Sequence, residues 1–387
     1  MDFFGKYLAA AAGLPRTAAG ETIEITVDLM LAHDGSGAAL LEAWENRRAK
    51  MYDPRRLLIT VDHAFPAPTP EERRIHRGLA DFAQRYGCAL YNHGEGVLHQ
   101  VAEEKAALRP GMIIAGADGH VATAGARGAL AFSLTPAEFA LVLQTGRLKL
   151  TVPEVLTIEL TGAFRPDVSV RDAALVVMRD LAGVIAGKAA AFTGSLAAAM
   201  SLSDRMALCN IIPESGAATA FVVPADEDAG RSHYVIDVGG IEAMLAAPPA
   251  PTNIRPVREL RGTPVSVAVA GGCSAGRLSD MEIIANILRV HPVHRDVTFI
   301  IAPASRTVAN GMDAKGWSSL LRARGALVLP PGCGPCPGKH SGLLAPGDSA
   351  VTTTVRNTPG RMGAADADIY LASPYTVAKA AVKGFIG

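Results

Sequence analysis

"GCGPCPGKHSG", residues 332–342, places two cysteines in a C-x-x-C spacing among four glycines and two prolines. So much glycine and proline leaves little room for regular helix or strand, so the pair belongs to a loop. The spacing suits a redox dithiol, half of a zinc site, or two thirds of an iron–sulfur site. Upstream, "TPVSVAVAGGCSAGRLSD" (263–280) reads as a strand entering a Gly-Gly turn that carries Cys273. Closed zinc sites and electron-transfer clusters take four protein ligands, whereas three thiolates around a cubane leave one iron open as a Lewis acid. Spacing alone keeps a metal-free pair equally open.

The 387 residues are 49% hydrophobic, enough to bury two or three cores. Basic and acidic residues balance at 37 each, which advertises no field for a polyanion and argues against nucleic acid. Five cysteines in so long a chain make no disulfide framework, so a reducing compartment with metal or catalytic thiols is expected. The Ala-rich start "MDFFGKYLAAAAGLPRTAAG" is expected to be an opening helix with a Gly-Leu-Pro stop, not a secretion signal. No apolar run approaches the ~20 residues of a membrane span, and a cytoplasmic protein is expected.

Helix-like and strand-like pieces alternate. "RRLLITVDH", "GMIIAGADGH" and "VPEVLTIELTG" read as strands ending in polar residues. "EERRIHRGLADFAQRYG" sets Ile75, Leu79, Phe82 and Tyr86 on one helical stripe with Gly87 as its stop, and "TPAEFALVLQTG" is a capped helix. The pattern argues α/β layers with polar residues gathered at strand ends. Three units are expected: 1–165, 166–255 and 256–387, with the proline-rich "AAPPAPTNIRP" (246–256) as a linker.

Three histidine-containing turns share the strand-end setting: Asp62–His63, His99, and Asp118 with His120. An aspartate beside a histidine fixes its tautomer and readies it for proton transfer. Each pair alone also suits an ordinary satisfied histidine; their repetition favours function. "TTTVRNTPGRMG" offers Arg356 and Arg361 on a rigid loop, as carboxylate forks or as solvated arginines. "RMALCNIIPESGA" carries Asn210 and Glu214 near a helix end.

Taken together, "VDHAFP", "GADGHVATAGARGA", "RMALCNIIPESGA", "GGCSAGRLSD", "GCGPCPGKHSGLLAPGD" and "TTTVRNTPGRMG" resemble the aconitase family, in family order over residues 62–363. The resemblance is to the large subunits of two-subunit 3-isopropylmalate dehydratases and homoaconitases. It implies an aconitase-like three-domain α/β/α architecture around a cluster cleft, without the C-terminal swivelling domain. It implies a [4Fe–4S] cluster on Cys273, Cys333 and Cys336. Asp62 and His63 then resemble the pair that protonates the departing hydroxyl, with His99, Asp118 and His120 beside the reacting oxygen. Asn210 and Glu214 match positions touching the cluster or its bound water, and Arg356 and Arg361 match carboxylate-binding arginines. The substrate implied is a hydroxy di- or tricarboxylate, and the partner a small subunit bringing a serine base and another arginine. A non-catalytic iron-sensing or interaction relative is the alternative, because Gly119, Ala275 and Val355 stand where the family usually has polar residues.

Overall fold

The computed structural model describes residues 1–47 and 49–387. In its first sheet the strands Ala89–Tyr91, Leu57–Thr60, Leu29–His33, Ile113–Gly116 and Leu130–Ser133 lie in that order, all parallel. The three central strands are buried along their whole length. That is why they read as unbroken apolar runs instead of alternating ones. The expected helices flank them. Pro70–Tyr86 starts at Thr69, whose hydroxyl accepts from Glu72 N, and stops at Gly87 in the left-handed region. Pro136–Thr145 opens with a Thr135–Glu138 capping box and stops at Gly146.

The second sheet orders Thr219–Val222, Ala189–Thr193, Val155–Thr161 and Tyr234–Asp237, again all parallel. Val155–Thr161 is thus a strand of this sheet, although the sequence division sets it within 1–165. The opening helix Phe3–Ala12, stopped by Gly13 as expected, leans on the same sheet, and Phe4 stacks on Phe221 at 5.6 Å.

The third sheet has seven strands: Ile254–Pro256, Met244–Ala246, Asp368–Ala372, Ser349–Thr352, Val267–Gly271, Thr298–Ala302 and Ala326–Val328. The first two pairings are antiparallel and the rest parallel. The proline-rich stretch expected as a linker is therefore largely the turn of a hairpin. Pro248 and Pro249 fall between two short edge strands, where a missing N–H costs no ladder bond.

Loops from the carboxyl ends of first-sheet and third-sheet strands meet around one cavity, which is where open parallel sheets bind ligands. Among the described residues, no helix is long and apolar enough to cross a membrane.

Candidate active site

The cavity, about 280 Å³, is walled on one side by His33, Asp62, His63, His99, Asp118 and His120. Cys273, Cys333, Cys336, Arg356 and Arg361 close the other side. Ten of the twelve residues expected from sequence thus share one pocket. Asn210 and Glu214 lie just behind its wall: Asn210 Oδ1 accepts from the Cys273 thiol at 3.7 Å, and Glu214 holds His120 and Arg356.

The histidine side is built on two carboxylates that the backbone pins. Asp34 follows the strand Leu29–His33 and accepts from the N–H groups of Asp62, His63 and Ala64 at 2.9–3.0 Å. His76 Nε2 reaches Oδ2, the oxygen that also accepts from Ala64 N, at 3.2 Å. Burial opposes charge on Asp34, but His76 and His63 with these N–H groups outweigh it and hold the carboxyl well below the usual range. The turn after Leu57–Thr60 is thereby fixed, and its Asp62 accepts from Leu98 N at 2.6 Å and faces His63 Nδ1 at 2.7 Å. With Nδ1–H on Asp62, His63 presents Nε2 as its free nitrogen. Burial lowers the His63 pKa, but Asp62, Asp34 and Asp118 raise it further, so the net direction is up.

Asp118 divides its oxygens between two imidazoles, His33 Nε2 at 2.9 Å and His99 Nε2 at 2.8 Å. His33 Nδ1 accepts from Gly35 N, so its Nε2 carries the proton that Asp118 receives. Its ring lies on that of His63, centroids 4.1 Å apart and 7° from parallel. His33 and Asp34 escaped the sequence reading, yet "LMLAHDG" has the same strand-then-Asp/His signature that found the other turns. His120 Nε2 meets Glu214 at 2.8 Å, and Arg356 Nε donates to both Glu214 oxygens at 2.9 and 3.1 Å.

A Cβ on Gly119 would stand 2.6 Å from Arg356 Nη2, the far end of a flexible side chain. The guanidinium occupies the space a side chain would take. Gly271, at φ +129°, has a steric reason to be glycine, since a Cβ would stand 1.9 Å from the Ala302 carbonyl. This close strand approach sets up the turn that aims Cys273.

The three thiols come from two loops. Cys333 N donates to the Asp62 carbonyl, which ties the C-x-x-C loop to the His63 turn. Burial first, then the neighbouring Cys336, pushes the Cys273 thiol up to about 12, and burial also drives Cys333 well above its ordinary value. Without a cation Cys273 and Cys333 stay protonated; a bound metal reverses that. Behind them lies Arg171, 3% exposed, on the helix Val170–Asp180. It donates to the Thr353 carbonyl at 2.5 Å, to the Thr354 carbonyl, and to Ser274 Oγ at 3.3 Å.

The model of the aconitase family (aconitate hydratase) matches residues 9–236 and 241–384. The chain is 35% identical to the probable methanogen homoaconitase large subunit of Methanothermobacter thermautotrophicus, covering 100% of this chain and 97% of that one. It is 36% identical to 3-isopropylmalate dehydratase large subunit 1 of Methanopyrus kandleri, over 98% and 97% respectively. Among solved structures, holo-form aconitase X of Thermococcus kodakaraensis shares the fold, with a TM-score of 0.54 at 13% identity over 86% of this chain and 84% of that one.

Proposed function

The chain belongs to the aconitase family, and we propose that this hydro-lyase is the cluster-bearing large subunit of a two-subunit dehydratase. Its reaction would eliminate water from a hydroxy di- or tricarboxylate and add it back on the adjacent carbon. Substituted malates, of the 3-isopropylmalate or homocitrate kind, are the substrates proposed. The observation that carries this is the meeting of three thiols with the His63–Asp62 and His33–Asp118–His99 arrays across one cavity.

The donor set fits an iron–sulfur group. Three soft sulfurs face one space, and a Cβ built on Gly272 would meet nothing nearer than 3.9 Å, which leaves room for an inorganic core. Cys273, Cys333 and Cys336 would hold a [4Fe–4S] cluster, supplying Lewis acidity that makes hydroxide a feasible leaving group. His63 Nε2 delivers the proton to the departing oxygen, with Asp62 holding Nδ1–H and stabilising the imidazolium before transfer. Asp118 orients His33 and His99 beside it. Arg361 and Arg356 take the substrate carboxylates. The carbon-bound proton goes to a base on a small subunit, a partner supported by relatives named as large subunits. A cytoplasmic setting suits buried thiols kept reduced.

Anaerobic reconstitution with iron and sulfide tests the reading. Broad visible absorption is expected in the wild type and its loss in Cys273→Ala; full absorption in that variant overturns the assignment. Mixing the loaded chain with its small subunit and a panel of substituted malates then reads out hydration and dehydration directly.

A further inference from the structure

Among the described residues of the cavity wall, three side chains are permanent cations: Arg356, Arg361 and Lys339. Two arginines answer the two carboxylates common to every substituted malate, so Lys339 is surplus to that chemistry. Its backbone is pinned on both sides. A Cβ on Gly338 would lie 2.9 Å from the Arg361 carbonyl, and His340 Nε2 donates to the Phe65 carbonyl at 2.5 Å. The ammonium rests 3.2 Å from Glu72 Oε1 and is 39% exposed, whereas Glu72 is nearly buried. An ammonium has three donors, so one can stay on Glu72 while another turns to a ligand at the mouth.

The rest of the wall points the same way. Its only apolar side chains apart from the cysteines are Val97, Ala117 and Pro337, among the described residues. Three small groups make this chain's side of the site a poor seat for a branched alkyl arm, which needs apolar enclosure to be worth binding.

We propose that Lys339 receives a third carboxylate, carried on the variable arm of the substrate. The preferred substrate is then a hydroxy tricarboxylate and not a malate with a branched alkyl arm. This rests on the hydro-lyase reading above and assigns the substrate class within it.

The test compares two malates, one with a 2-carboxyethyl arm and one with a 2-propyl arm, on the loaded chain with its small subunit. The wild type is expected to favour the carboxyethyl acid. Lys339→Met should cut the ratio of the two kcat/KM values roughly 10- to 100-fold, mainly through KM, as expected for losing a charge-assisted hydrogen bond. Lys339→Arg should restore much of the ratio, and Glu72→Gln should keep it. An unchanged ratio in Lys339→Met, or equal losses on both acids in Lys339→Met and Glu72→Gln, overturns the proposal and leaves Lys339 as the partner of Glu72. Calorimetric binding of propane-1,2,3-tricarboxylate and of glutarate separates this inference from the one beneath it. If neither malate turns over but only tricarboxylate binding weakens in Lys339→Met, the hydro-lyase reading fails and the lysine site stands. Equal binding by wild type and variant overturns the lysine site.

Discussion

His33 lies flat against His63 at 4.1 Å while its Nε2 donates to Asp118 at 2.9 Å, so one imidazole both packs the proposed proton donor and anchors the neighbouring carboxylate. These two duties can be separated by substitution. Phenylalanine keeps the stacking face and loses the donor; glutamine keeps a donor and loses the face.

His33→Phe should release one oxygen of Asp118 and let His99 drift. A fall in kcat of about 100-fold with little change in KM is expected, the cost of misplacing a reacting group by about 1 Å. His33→Gln should lose less. Steady-state kinetics of both variants check this, and a loss confined to KM would contradict it.

Gly119→Ser would put a Cβ where Arg356 Nη2 now lies, 2.6 Å away. The guanidinium is the far end of a flexible side chain, so folding stability should change by only about 0.5 kcal/mol. Displacing it from Glu214 should raise KM about tenfold, the scale of a weakened charge-assisted hydrogen bond. Paired melting and kinetic measurements separate the two effects.

Arg171 is a buried cation whose pKa falls to about 10, mainly through burial, with Asp172 opposing. Its charge is costly in the metal-free chain and useful beside three thiolates. Arg171→Met should therefore hurt the loaded chain more than the empty one. Iron should be lost at least about tenfold faster under a chelator, as for other outer-shell changes at metal sites. The metal-free chain should lose only about 1–3 kcal/mol, because the Thr353 carbonyl keeps the Ser274 hydroxyl and only the Thr354 carbonyl loses its side-chain donor. Equal destabilisation of both forms would refute this reading.

Asp118 gives a pH dependence with a definite sign. Burial works against its charge, but His99 and then His33 more than compensate, and the carboxyl is held well below its ordinary range. A depressed folded value contributes stability above the ordinary carboxylate pKa and loses it as pH falls through the folded one. The metal-free wild type should thus melt above Asp118→Asn at pH 6, by about 1–3 kcal/mol. That advantage should shrink below about pH 4. Thermal unfolding across this window decides the matter; a difference that widened in acid would reverse the sign.

The sequence by itself determined the elements and most of the site's membership. Helix stops at Gly87 and Gly146, the buried strands "LLIT" and "IIAG", and the cysteine loops follow from local rules: periodicity, caps and backbone freedom. Sheet membership did not follow. Val155–Thr161 and the hairpin around Pro248 joined sheets that only long-range pairing selects, because a strand's own residues say that it pairs and not with which partner. The division of labour at the site was likewise a tertiary decision. Asp34 holds three N–H groups about thirty residues away, His33 serves Asp118 from another strand end, and Arg356 fits over Gly119 from the far loop. Charge, burial and hydrogen-bond distance are set between segments. A single stretch of chain therefore names the chemistry it carries, and only the packed fold decides which groups share a proton, a carboxylate or a space.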